Sequence, residues 1–189
     1  MTELPTGGTV RPITRWGEPV MHAPCRPVEV FGAELAELVA DLAATMYAAD
    51  GAGLAANQLG VDLAVFVFDC LDDDGERHVG AVCNPQLSVP EGRDRVLDDS
   101  EEGCLSLPGA FVPCPRADHA TVIGVDHTGA PVRFAGNGLF ARCLQHESDH
   151  LAGTVFGDRL PTRARKRLLR EAAMVADDFP PGWPTPESR

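Results

Sequence analysis

The sequence predicts an α+β fold, on three observations. Apolar residues at helical spacing and short β-rich runs fall in separate blocks and do not alternate strand with helix. The segment Asp126-His127-Thr128-Gly129 between two apolar runs reads as a hairpin loop. Gly (19) and Pro (16) are abundant enough among 189 residues to demand many turns.

Residues 1–31 carry five prolines and little periodicity, which predicts an extended arm. Over residues 32–50, Leu35, Leu38, Val39, Leu42 and Met46 recur on one helical face, and Gly51 and Gly53 stop the helix. Ala64 to Phe68 is an apolar β-rich run, followed by a turn at Asp72-Asp73-Asp74-Gly75. Val79 to Val82 predicts a second strand, broken at Asn84-Pro85. Two more strands are expected near 120–126 and 131–135, a second helix at 137–152 with Leu139, Cys143 and Leu144 on its apolar face, and a third helix at 162–177. Phe179 to Pro186 reads as a loose proline-rich tail. With no internal repeat and no long linker, residues 1–160 are expected to form one domain, with 161–189 attached to it as a helix and tail.

With 28 acidic against 16 basic residues, the net charge is −12, which argues against a general nucleic-acid binder. No stretch reaches the ~18 apolar residues of a membrane span. Met1 to Thr14 lacks the pattern of a secretory signal, so a cytoplasmic protein is expected. The six cysteines form no CxxC pair, and in a reducing compartment most should be free and buried.

Chemistry concentrates in three segments. In His146-Glu147-Ser148-Asp149-His150, two imidazoles four residues apart share a helical face and can close on one metal, with Glu147 placed as a general base. A third ligand is then needed. Downstream of His150 there is no His, and Asp158, Glu171, Asp177, Asp178 and Glu187 have no strong claim. Upstream, Cys104 in Glu102-Gly103-Cys104-Leu105-Ser106 offers a thiolate; a buried structural thiol is the plain alternative. In Gly51-Ala52-Gly53-Leu54-Ala55-Ala56-Asn57-Gln58, small residues allow close backbone approach and Gln58 can donate to an oxyanion, although taken alone the segment reads rather as a helix stop and a tight turn.

Taken together, these segments resemble the peptide deformylase family, whose motifs read GxGxAAxQ, EGCxS and HExDH. Every fixed position stands here in order. Arg11-Pro12-Ile13, Gly17, Pro19-Val20, Asn84-Pro85, Arg116, Gly153, Phe156 and Asp158-Arg159-Leu160 extend the likeness over about residues 10–160. The resemblance implies antiparallel sheets packed around a central helix carrying the HExxH motif. It also implies removal of the formyl group from N-formyl-methionyl nascent peptides, with release of formate. By match to the motifs, Cys104, His146 and His150 would hold one divalent ion, Glu147 would move the proton, and Gln58 with the Leu105 N–H would form the oxyanion hole. Gly53 would approach the substrate backbone. The family commonly uses Fe(II); thiolate and imidazole also accept Zn, Ni or Co.

Leu139 and Cys143 lie on the helical face of His146 and His150, and are expected to form an apolar wall for the substrate methionine, or to be plain core. Arg142, off that face, would shape the pocket rim or reach solvent. Asp149 would orient a neighbouring group or form a surface salt bridge, and Arg116 would pair with Glu102. Asp98 to Glu101 read as loop solvation. The basic run Arg163 to Arg170 would touch the ribosome, or be a solvated helix paired with Glu171 or Asp158. A zinc endopeptidase would need the missing downstream ligand, and a closed structural metal site would leave Glu147 and Gln58 without a task.

Overall fold

The computed structural model describes residues 4–185. Three helices, α1 (Ala33–Ala48), α2 (Gly138–Leu151) and α3 (Thr162–Met174), are set among nine strands. The strands are β1 (Gly53–Ala55), β2 (Val65–Leu71), β3 (Arg77–Ser88), β4 (Leu97–Asp98), β5 (Glu101–Cys104), β6 (Leu107–Pro113), β7 (Arg116–Ala117), β8 (His119–Val125) and β9 (Pro131–Asn137). A five-stranded sheet runs β1-β2-β3-β8-β9, and two-stranded sheets pair β4 with β7 and β5 with β6, all antiparallel. The expected α+β class therefore holds.

β2 shows why the core divides around the sheet. Successive strand residues point to opposite faces. Val65 and Val67 join the cluster under α1, with Leu35, Leu38, Val39, Leu42 and Met46. Phe66 and Phe68 join the cluster under α2, with Phe140 and Leu144. The Phe68 ring meets Phe134 edge-on at 4.9 Å and Phe140 at 5.2 Å. A third cluster, around Cys104, Val112, Phe156 and Leu168, holds α3 against β6 and the 3-10 turn Phe156–Arg159. All six cysteines are free and five are buried, as expected.

Several elements differ from the sequence reading. α1 ends at Ala48, and the left-handed residue at its exit is Asp50 (φ 54), not Gly51. Asp tolerates that conformation. β3 is not broken at Asn84-Pro85. It passes through a register shift between Cys83 and Gln86, where the missing proline N–H costs no ladder bond. The Asn84 side chain instead bonds the Val28 N–H and C=O at 2.8 and 2.9 Å, tying the N-terminal arm to the sheet. That arm is extended except for a short 3-10 turn at Pro19–His22, and it buries Leu4, Ile13, Trp16, Met21 and Val28. β1 and the strands between Leu97 and Ala117 are additions to the sequence reading. α3 stops at Met174, followed by a 3-10 turn at Ala176–Asp178.

The tail is not loose. The Phe179 carbonyl accepts a hydrogen bond from Arg15 Nη2 (2.7 Å), and the Trp183 carbonyl accepts one from the Ile13 N–H (3.0 Å). The aromatic rings supply the burial that the prolines alone did not suggest. Pro186, the end of the expected tail, and residues 1–3 of the arm lie outside the described residues.

Candidate metal centre

α2 carries Leu139, Cys143, His146, Glu147 and His150. The 3.6-residue turn stacks positions four apart, and the His146 and His150 rings meet edge-on at 4.7 Å. The β5–β6 hairpin brings Cys104 beneath them. Cys104 Sγ lies 3.3 Å from His150 Nε2, and the two Nε2 atoms are 3.1 Å apart. Four-coordinate geometry with bonds of about 2.0–2.3 Å separates ligand atoms by roughly 3.3–3.6 Å, so these three donors fit around one ion. All three residues are buried.

The ring orientation is fixed from behind. His146 Nδ1 donates to Glu102 Oε1 at 2.7 Å, which leaves Nε2 to face the other two donors. Arg116 grips Glu102 through two bonds, Nε to Oε2 (2.9 Å) and Nη2 to Oε1 (2.6 Å). Arg116 Nη1 reaches Asp149 at 2.6 Å, and Arg159 closes on the same carboxylate. The expected Arg116–Glu102 pair is therefore present, and Asp149 orients Arg116 from within the protein.

Two readings of the sequence need correction. Arg142 does not reach solvent; it stands on the cleft lining, as the alternative reading had it, and its guanidinium is held from behind. It is buried, 2.8 Å from Glu102 Oε2 and 2.7 Å from the Cys114 carbonyl, and these acceptors satisfy the N–H groups that burial takes from water. Asp98 is not loop solvation either, since it accepts from Arg142 Nη2 at 2.7 Å.

Burial alone would push the Glu102 carboxyl up. Its bonds to Arg116 and His146 outweigh that and hold it far below the usual range. Burial pulls both imidazoles down. His150 follows it, whereas Cys104 and Glu102 draw His146 well above its ordinary value. Burial pushes Glu147 up to about 7. Glu147 Oε2 is buried and has no hydrogen-bond partner among the described residues.

Glu147 points into a cleft of about 430 Å³. Gly53, Gln58, Leu105, Leu139 and Cys143 line it together with Cys104 and His146, while His150 lies buried beyond the lining. A Cβ at Gly53 would sit 2.7 Å from both Cys143 Sγ and Glu147 Oε1, so any side chain there would displace the tips of these two residues. The Ala55 N–H donates to Gln58 Oε1 (2.9 Å), and since an N–H can only donate, the Gln58 amide nitrogen must turn toward Cys104 and Ser106. The sequence reading did not place Phe111, Phe179 or Trp183 at the cleft, yet all three line it. No local motif marks them; only the fold brings them there.

On α3, the expected pairs form from Arg167 to Glu171 (2.7 Å) and from Arg165 to Asp158 (3.2 Å). Among the described residues the group that converges with His146 and His150 is Cys104 and no downstream acid; Glu187 lies outside the described residues. Arg163, Lys166 and Arg170 are exposed and make no ion pair among the described residues. No helix among the described residues is long and apolar enough to cross a membrane.

The family model for polypeptide deformylase matches residues 10–166. The chain belongs to that family. Its members are metal-dependent hydrolases that remove the N-terminal formyl group from nascent peptides, and this chain is such an enzyme. It is 56% identical over 174 residues to peptide deformylase 1 of Streptomyces avermitilis, covering 92% of this chain and 80% of that one. The crystal structure of a peptide deformylase from Legionella pneumophila matches with TM-score 0.79 and 36% identity, over 89% of this chain and 96% of that one. The Synechococcus elongatus enzyme, solved in complex with actinonin, matches with TM-score 0.75 and 32% identity, over 89% of each.

Proposed function

We propose that deformylation in this chain rests on Cys104, His146 and His150 as the ligands of one divalent ion, Fe(II) in the cell. The observation that carries the assignment is the convergence of one sulfur and two Nε2 atoms at 3.1–3.3 Å, with His146 turned by Glu102. Three protein ligands leave a fourth position open. The chemistry an ion supplies there is Lewis acidity toward water and toward the formyl oxygen.

The protein's own groups do the rest. The Glu147 carboxylate, buried and aimed into the cleft, takes a proton from the attacking water and delivers it to the departing amine. The oxygen–carbon bond forms, the carbon–nitrogen bond breaks, and the products are formate and a free α-amine. Gln58 Nε2 and the Leu105 N–H donate to the oxyanion of the tetrahedral intermediate. Gly53, on the cleft lining, presents its backbone to the peptide. Cys143, buried, and Leu139, half exposed at 51%, form the apolar wall for the first side chain, an unbranched thioether.

Residues up to about 160 carry this machinery, and α3 with the segment after it belongs to the same domain, packed on β6. A cytoplasmic setting suits six free cysteines. The cations Arg163, Lys166 and Arg170, exposed and without an ion pair among the described residues, suit a transient contact with the ribosome, which their neutralisation would weaken in co-sedimentation.

The test is formate release from formyl-Met-Ala-Ser by anaerobically purified protein, with metal content measured on the same sample. Turnover proportional to bound iron and inhibition by actinonin, as the Synechococcus complex suggests, are expected. Equal turnover after complete removal of metal, or hydrolysis of the acetylated peptide at the same rate, would contradict the assignment.

A further inference from the structure

The residues after α3 return to the cleft mouth and are fastened there at both ends. Arg15 bonds the Phe179 carbonyl at 2.7 Å, and its guanidinium lies 5.7 Å over the Trp183 ring. The Ile13 N–H bonds the Trp183 carbonyl, and the Phe179 and Trp183 rings meet edge-on at 5.0 Å. Gly109, with φ +78, lets Phe179 lie directly on β6, because a Cβ there would be 2.7 Å from the ring. Trp183 and Leu105 pack against the same core cluster, and both line the cleft. The cleft therefore has a second apolar wall, built from elements other than the α2 residues Leu139 and Cys143.

We propose that Phe179 and Trp183 select the second residue of the formyl peptide, favouring a large apolar side chain. The inference rests on the assignment of Leu139 and Cys143 to the first side chain. In an extended peptide, successive side chains point to opposite sides. A chain that lays its first side chain on the α2 wall turns its second toward the aromatic pair. Both rings are only half-buried, so an apolar side chain laid on them removes further apolar surface from water. The exposed carboxylates of Asp50 and Glu101, also on the cleft lining, oppose an acidic residue at that position.

The experiment is a matrix of formyl peptides varied at residues one and two, with kcat/KM measured on the metal-loaded enzyme and its variants. The wild type should prefer Leu over Glu at residue two by about tenfold or more. Phe179→Lys should invert or erase that preference while keeping the preference for Met at residue one. Phe179→Ala, which removes the ring without adding charge, should bring the ratio toward one, and Phe179→Leu should restore it. A purely structural role for Phe179 would lower all rates together and could not exchange Leu for Glu. An unchanged second-residue ratio in Phe179→Lys and Phe179→Ala would overturn the proposal. Leu139→Lys separates the reading beneath it: unaltered selectivity at residue one in that variant would sink the α2 wall and leave the Phe179 result to stand or fall alone.

Discussion

Cys104–His146–His150 and Asp72–Glu76–His78 both hold three potential ligand atoms within 4.8 Å of one another, yet their surroundings have little in common. In the second group the donors satisfy each other. His78 Nε2 lies 2.9 Å from Asp72 Oδ2, Asp72 Oδ1 accepts the Asp74 and Glu76 N–H groups, and the His78 ring stacks on Phe140 at 4.0 Å. It is a turn knitting itself together at the end of a hairpin. In the first group, the orienting bond to His146 comes from outside the triad, from Glu102, and the three donor atoms are left facing one point. Spacing is common to both; a second layer that aims the donors belongs to one. That layer is charged, an alternation of Asp98, Arg142, Glu102, Arg116, Asp149 and Arg159 whose four central members are buried and whose ends reach the surface.

The comparison breaks most sharply on metal content. His146→Ala should lose both bound metal and all measurable deformylation, whereas His78→Ala should keep both, as read by metal analysis and formate release on matched samples. Metal lost equally from the two variants would erase the distinction. Glu147→Ala comes next. It should retain the ion yet slow turnover by about 10²–10⁴, because it removes the proton carrier and no ligand. Gln58→Ala should cost about 10²–10³ in kcat with metal content unchanged, the loss of one oxyanion donor. Arg116→Ala tests the aiming layer through stability. Stranding Glu102 and Asp149 without their shared partner should destabilise the fold by about 3–5 kcal/mol in denaturant unfolding. A change below 1 kcal/mol would show that the network is solvated.

Much of the triad was legible in the sequence because its chemistry is local. His146, Glu147 and His150 sit within one helical turn of each other, and the small residues around Gly53 declare a close approach. Cys104 depended on its flanking motif, since a lone thiol gives no periodic signal. The helices α1 and α2 were readable from 3.6-residue spacing. β1 and the strands from Leu97 to Ala117 were not, because each is only two to seven residues long and interrupted by Gly103, Pro108 and Gly109. The tie between Arg142 and Asp98 was missed for a related reason: Arg142 meets Glu102 from 40 residues away and Asp98 from 44, and only the fold joins the three. Phe179 and Trp183 were hidden by the prolines and glycine around them, which suggest looseness where ring packing supplies order.

The central claim is that a cysteine sulfur and two imidazole nitrogens share one ion. X-ray absorption at the metal edge of the anaerobically purified enzyme tests it directly. The account predicts one sulfur at about 2.3 Å with two imidazole nitrogens at about 2.0–2.1 Å, and loss of the sulfur shell in Cys104→Asp. A shell of nitrogen and oxygen only in the wild-type enzyme would contradict it.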